Sequence, residues 1–363
     1  MATKDIHRTQ EEPINHGGAI DAAAQRYGIP ANEWLDLSTG INPVAYPVSP
    51  IDDVYWQRLP LATELEQLKV AAKTYYDVPS VTQLVCAPGT QALIQNIPFW
   101  FRDQTDDHAI ADVHITGPTY GEHERCWTRA GHHCHVHETA PKRRYTQLQD
   151  ILSTSKPGSV IVLVNPNNPD GGLLAPDDVA NLAQLALSRG CWLLIDEAFM
   201  DCRPDHSVCS RIDQMPNTII LRSVGKFFGL AGVRLGFAVM ASELAGDLGR
   251  RIGPWAVPGP TIAVGTQALQ DTHWQQETRA RLTSDGLRLD HLIARHSKLE
   301  PAGGTDLFRY YDGTDCVRVA DHLAQQGILI RLFDHDQNKA RFGFPGTASQ
   351  WDRLEKAMAG IVT

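Results

Sequence analysis

No stretch of the 363-residue chain strings together the roughly 20 apolar residues that a bilayer-spanning helix needs, so a membrane span is not expected. A basic excess is missing too: Lys and Arg number 33 against 42 Asp and Glu, a net charge of −9 at pH 7. Nucleic-acid binding draws on clustered Lys and Arg, so no nucleic-acid partner is expected. Paired cysteines are absent. The seven cysteines (86, 126, 134, 191, 202, 209 and 316) are odd in number, scattered, and form no Cys-x-x-Cys motif, which suits a reduced cytoplasmic protein rather than a disulfide framework. The first fifteen residues are polar and charged and lack the apolar core of a signal peptide. Internal repeats and low-complexity tracts are missing as well, which sets solenoids and long linkers aside.

What the chain does have is the balance of a globular protein, 42% hydrophobic and 21% charged, at a length beyond one ordinary domain. The first fifty residues are rich in Gly, Pro and Asn, with an amphipathic stretch at 19–27 and a segment at 35–43. Then strand and helix patterns alternate: a helix over 61–76, a strand over 83–86, a helix from Ala92, short apolar runs at 108–115, 159–164 and 191–195, and a helix over 176–189. Such alternation implies an α/β fold with a mostly parallel sheet flanked by helices. After Arg250 the texture changes, with Gly253-Pro254 and Pro258-Gly259-Pro260, helical patterns over 261–270 and 275–296, and strands near 307–311, 328–332 and 340–344. The expectation is a large domain over 51–250, a smaller α+β domain over 251–363, and residues 1–50 packed with the small one.

Four short signals follow predicted strands, where an open α/β sheet places its ligand. Pro88-Gly89-Thr90-Gln91 stands at a strand-to-helix turn and offers N–H groups and a hydroxyl to a phosphate; alone it is equally an ordinary capped turn. Asn165-Pro166-Asn167-Asn168-Pro169-Asp170-Gly171 also reads as a plain turn. Asp196 ends the apolar run Leu193-Leu194-Ile195, where a buried carboxylate needs a cation such as a protonated pyridine nitrogen, or else caps the next loop. Lys226 lies in Ser223-Val224-Gly225-Lys226-Phe227-Phe228-Gly229-Leu230-Ala231-Gly232-Val233-Arg234, among apolar residues that depress an amine as Schiff-base chemistry requires. A phosphate-binding P-loop is excluded there, because Ile220 takes the place of its first Gly and Phe227 that of its Ser/Thr.

Asn168, Asp196, Lys226 and Arg234 together resemble the fold-type-I pyridoxal 5'-phosphate (PLP) enzymes of the class I/II aminotransferase family, and the resemblance runs over almost the whole chain. It implies the PLP-dependent transferase fold, with the cofactor as a Schiff base on Lys226, Asp196 paired with the pyridinium nitrogen and Asn168 on the ring 3-oxygen. It also implies that Gly89, Thr90, Gln91, Ser223 and Arg234 hold the cofactor phosphate and that Tyr120 stacks on the ring.

Further runs sharpen the likeness: His16-Gly17-Gly18, Trp34-Leu35-Asp36-Leu37-Ser38-Thr39-Gly40-Ile41-Asn42-Pro43, Trp56-Gln57-Arg58-Leu59-Pro60 and Arg341-Phe342-Gly343-Phe344-Pro345-Gly346. With Gly225 before the lysine, they resemble the L-threonine-O-3-phosphate decarboxylases of cobalamin (vitamin B12) biosynthesis. The resemblance implies Arg341 on the substrate carboxylate, and a homodimer. Arg331, with His16 and Asn42, is the candidate set for the substrate phosphate, since Arg suits bidentate oxyanion binding. Phe199 and Leu59 stand where related aminotransferases carry tyrosines, which counts against simple transamination. A histidinol-phosphate type aminotransferase and a non-catalytic PLP-binding scaffold are the competing readings. His133, His135 and His137 alternate along a strand as zinc ligands can, but no fourth ligand is in view and no metal is expected.

Overall fold

Runs such as Val160–Val164, apolar at every position, need both faces covered, and the structure provides that cover. The computed structural model of the chain describes residues 17–104 and 109–361. Its strands are β1 (Leu35–Asp36), β2 (Gln83–Ala87), β3 (Asp112–Gly117), β4 (His133–Glu138), β5 (Val160–Val164), β6 (Trp192–Asp196), β7 (Thr218–Ser223), β8 (Gly236–Met240), β9 (Glu300–Thr305), β10 (Phe308–Asp312), β11 (Ile328–Leu329), β12 (Arg331–Phe333) and β13 (Asp336–Phe342).

Seven of these form one sheet in the order β2-β8-β7-β6-β5-β3-β4, parallel except for β8, which runs antiparallel to both neighbours. Side chains alternate across it. Ile161, Leu163, Leu193, Ile195, Phe237 and Val239 join one apolar cluster, whereas Val160, Val162, Leu194, Ala238 and Met240 join another. Helices Ala62–Tyr75, Arg144–Thr154 and Pro176–Ser188 cover the first face; Thr90–Asp103, Glu122–Arg129 and Ser242–Ile252 cover the second. The α/β architecture with a mostly parallel sheet is thus present. The chain reverses its direction of travel after β4, between β3 and β5, and the loops after β2, β3, β5, β6 and β7 emerge at one sheet edge.

A second, antiparallel sheet has the order β12-β13-β10-β9, and β1 pairs in parallel with β11. The single strand expected over 328–332 is split: Ile328 pairs with Leu35, whereas Arg331 pairs with Arg341 in the other sheet. β9 was not foreseen, because Glu-Pro-Ala-Gly-Gly-Thr lacks any apolar alternation. The backbone of Gly303 and Gly304, at φ 146° and 133°, allows it to approach the loop at Asp170, whose carbonyl accepts from the Gly304 N–H at 2.9 Å.

Residues 35–46 weave the two parts together. The Leu37 N–H donates to Leu329 O at 2.7 Å, and Leu37 O accepts from the Gly343 N–H at 2.6 Å. Farther along, the segment crosses to the turn at Lys226.

Candidate active site

At that sheet edge lies a cavity lined by Gly89, Thr90, Gln91, Tyr120, Asn168, Asp196, Ser223, Lys226 and Arg234, with Phe199 and Ala198 beside them. Nine positions assigned to the cofactor from sequence therefore converge on one place, although they come from five separate loops.

Strand alternation decides which carboxylate enters. Asp196, the last residue of β6, lines the cavity, while its neighbour Glu197 turns to the opposite face and meets Arg222. Asp196 is only 4% exposed. Its Oδ1 accepts from the Ala198 N–H at 3.0 Å and its Oδ2 lies 3.0 Å from His123 Nε2. An acceptor-only carboxylate fixes Nε2 as the protonated ring nitrogen. His123 is wholly buried in the helix Glu122–Arg129, and its Nδ1 has no partner among the described residues.

Lys226 sits on the turn after β7, its Nζ 5.6 Å from the centre of the Phe199 ring. Burial, aided by Arg341 and Arg234 and opposed by Asp196, pulls its ammonium down to about 8. The free amine is thereby brought closer to neutral pH than in an ordinary lysine. The turn is templated from outside. The Asn42 N–H donates to Lys226 O at 3.0 Å, Asn42 Nδ2 to Phe227 O at 2.8 Å, and the Tyr46 N–H to Phe228 O at 2.8 Å.

The phosphate end is built from backbone. Gly89 adopts φ 81°, and a side chain there would bring its Cβ within 2.6 Å of the Arg234 guanidinium. The helix Thr90–Asp103 starts at this point with no side chain capping its first N–H groups, which leaves donors for an anion. Tyr120 is held by its hydroxyl, which donates to Gln91 Oε1 at 3.0 Å, and Gln91 Nε2 in turn donates to Glu122 at 2.8 Å.

Opposite stands Arg341 in β13, 6% exposed. It donates to Asn168 Oδ1 at 2.5 Å and to the Ser38 carbonyl at 2.7 Å, with its guanidinium 5.0 Å from the Phe308 ring centre. Burial, with Arg331 adding to it, lowers even this guanidinium to about 10. Neighbouring Asn167 braces the loop: it accepts from the Thr119 hydroxyl at 2.7 Å and donates to Asp170, itself paired with buried Arg144 at 2.8 Å.

The substrate set is dispersed by comparison. Arg331 faces Arg341 across β12 and β13, 5.3 Å from the Phe333 ring, but it lines a neighbouring groove with Gly17, Arg26, Ser38 and Arg318 rather than the cavity itself. Asn42 corrects the expectation: its amide is 2% exposed and occupied by Phe227 O, the Val44 N–H and Arg281, so none of it is offered to a substrate. His16 lies outside the described residues. Sequence reading missed His123 and the Ser38 carbonyl. At 133–137, His114 Nδ1 and His137 Nε2 lie 3.0 Å apart and His135 reaches Asp112 at 3.2 Å, yet no metal-holding group of three or more ligands forms among the described residues.

A PLP-type cofactor fits these residues: a buried, depressed amine, a buried carboxylate 3.0 Å from a proton-bearing imidazole, and uncapped N–H donors beside a guanidinium. The family model for aminotransferases of class I and II matches residues 61–350, and the chain belongs to that family. It is similar to the threonine-phosphate decarboxylase of Pseudomonas aeruginosa, 39% identical over 96% of this chain and 98% of the relative. A threonine-phosphate decarboxylase from Sinorhizobium sp is 35% identical, over 96% and 98% of the two chains. Among solved structures, the histidinol-phosphate aminotransferase of Sinorhizobium meliloti in complex with pyridoxal-5'-phosphate superposes with a TM-score of 0.77, 19% identical over 99% of this chain and 97% of that one.

Proposed function

We propose that the chain decarboxylates L-threonine O-3-phosphate with PLP, releasing CO2 and (R)-1-amino-2-propanol O-2-phosphate for cobalamin biosynthesis. The observation that carries this reading is the near full-length likeness, at 35–39% identity, to two relatives named for that decarboxylation.

Bound PLP supplies an electron sink for the bond broken at the substrate's Cα. Asp196, oriented by the His123 N–H, would face the ring nitrogen and balance its positive charge. Asn168 would meet the ring 3-oxygen, Gly89, Thr90, Gln91, Ser223 and Arg234 would hold the phosphate, and Tyr120 would lie against the ring. Arg341, already aimed at Asn168, anchors the substrate carboxylate, and Arg331 in the next groove takes the substrate phosphate. By holding the substrate's two ends, Arg341 and Arg331 would set which Cα bond is exposed to that electron sink, and so decide between losing CO2 and losing a proton. Lys226, with its depressed amine, delivers a proton to Cα after CO2 departs.

The reading includes a cytoplasmic homodimer, with residues 1–50, 51–250 and 251–363 as N-terminal segment, large domain and small domain. No helix among the described residues is long and apolar enough to cross a membrane. Trp56 and Trp255, 66% and 61% exposed, with Leu59 and Leu61 beside them in sequence or groove, supply apolar surface for a second copy.

The test mixes purified protein with PLP and L-threonine O-3-phosphate, followed by visible absorbance and NMR. A visible band that Lys226→Ala abolishes, with CO2 and aminopropanol phosphate formed by wild type alone, supports the assignment. A band without CO2, accompanied by glutamate made from 2-oxoglutarate, would move the chain to the aminotransferases.

A further inference from the structure

We propose that Arg281, outside the cavity, is a positioning residue for Lys226 and acts through Asn42. The inference rests on the reading of Lys226 as the cofactor-bearing lysine.

Three consecutive carbonyls, of Lys226, Phe227 and Phe228, each accept a hydrogen bond from residues 42–46, and Asn42 supplies two of the three donors. Its side-chain amide has two unlike ends, an oxygen that accepts and an NH2 that donates. Phe227 O accepts, so it must face the NH2, as it does at 2.8 Å. At the other end, Asn42 Oδ1 accepts from the Val44 N–H at 3.1 Å and from Arg281 Nη2 at 2.6 Å. A guanidinium has no acceptor atom, so only the oxygen can meet it. Arg281, together with the Val44 N–H, therefore holds the amide in the one orientation that reaches Phe227. Arg281 is itself aimed by Asp285, one turn along the helix Thr272–His296, with Nη1 2.7 Å from Oδ2.

The turn has no slack to absorb a mistake. Gly229 closes it at φ 66°, and a Cβ there would lie 2.7 Å from both Asn42 O and Ala45 Cα. Asn42 is 2% exposed, so a reversed amide would set oxygen against oxygen where water cannot intervene. The turn would then shift, and the Lys226 amine would gain solvent.

The experiment reads Lys226 without cofactor. Reductive methylation of the cofactor-free protein across a pH series, resolved by mass spectrometry, gives the titration midpoint of Lys226, with Lys156, 85% exposed in its side chain, as internal reference. Wild type should titrate near 8. Arg281→Glu puts an acceptor where a donor stood, so the Lys226 midpoint should rise by about one unit or more towards an ordinary lysine, with Lys156 unmoved. Arg281→Lys keeps a donor and should hold the wild-type midpoint. A purely structural role would lower the melting temperature of Arg281→Glu and leave the midpoint in place, which overturns the proposal. Asn42→Leu, which adds no charge, removes the donor to Phe227 O and serves also if Arg281→Glu fails to fold. The same rise is expected; an unchanged midpoint, or a rise confined to Arg281→Glu as the field of its new carboxylate, overturns the proposal. A wild-type Lys226 that titrates as an ordinary lysine and gives no band with PLP defeats the proposed function instead, so the two failures read differently.

Discussion

Two histidine–aspartate pairs meet at strands of the same large sheet with nearly the same separation, His123 reaching its partner from a covering helix. His123 Nε2 lies 3.0 Å from Asp196, and His135 Nε2 lies 3.2 Å from Asp112. What separates them is water. The side chains of the first pair are 0% and 5% exposed, those of the second 48% and 29%. In the buried pair neither partner has water as an alternative, so each fixes the other's direction. In the exposed pair water and salt offer equivalent partners, and the contact contributes little. A distance alone therefore does not distinguish a working pair from a surface one.

The comparison can be broken most sharply at Asp196. Asp196→Asn keeps the shape and removes the charge, and kcat should fall about 100-fold or more, a loss of about 2.7 kcal/mol of transition-state stabilisation, read by steady-state kinetics. His123→Leu comes next. It leaves the buried carboxylate without one of its two donors, which should destabilise the fold by about 1–3 kcal/mol in urea titration and make PLP dissociate more readily on dilution.

A smaller effect belongs to pH at the edge strand. Burial lowers both His114 and His137, with His137 and His135 adding to the shift at His114, while Asp112 opposes it there. Lys156, 3.8 Å from Asp112, and His133 complete the charges facing them. The folded state binds these protons less readily than the unfolded chain, so stability is full above the ordinary histidine value of 6.5 and declines as pH falls below it. The urea midpoint should therefore drop between pH 7 and pH 5, and His114→Gln should flatten part of that drop. The smallest effect is expected from His135→Ala, which should cost less than about 1 kcal/mol and leave kcat unchanged.

The same contrast explains what could be read in advance. That Gly89, Asn168, Asp196 and Lys226 gather at the ends of buried strands was legible from strand-then-turn patterns, whereas their expected roles, and the place of Arg234, came from the family resemblance. His123 was not legible, because its meaning depends on a carboxylate 73 positions later and nothing local marks it. Asn42 was misread for the opposite reason. Its surroundings, Ile41-Asn42-Pro43, resembled a substrate-binding run, yet in three dimensions both ends of the amide are filled by the Lys226 turn and a helix 239 residues away. Much of the alternating sheet was visible from apolar runs, whereas β9 carries two glycines and no apolar alternation and became a strand only through its neighbours.

The template beneath Lys226 also bears on the order of assembly. The strands of the large sheet lie within residues 83–240, but the carbonyls of the lysine turn wait for residues 42–46, about 185 positions earlier. The same early segment closes on Gly343, about 300 positions later. Contacts that span such lengths form late, because the intervening loop must first surrender its entropy. Refolding protein should accordingly regain its sheet before it regains a lysine able to take up cofactor, so that chemical competence marks the last step of folding rather than an early one.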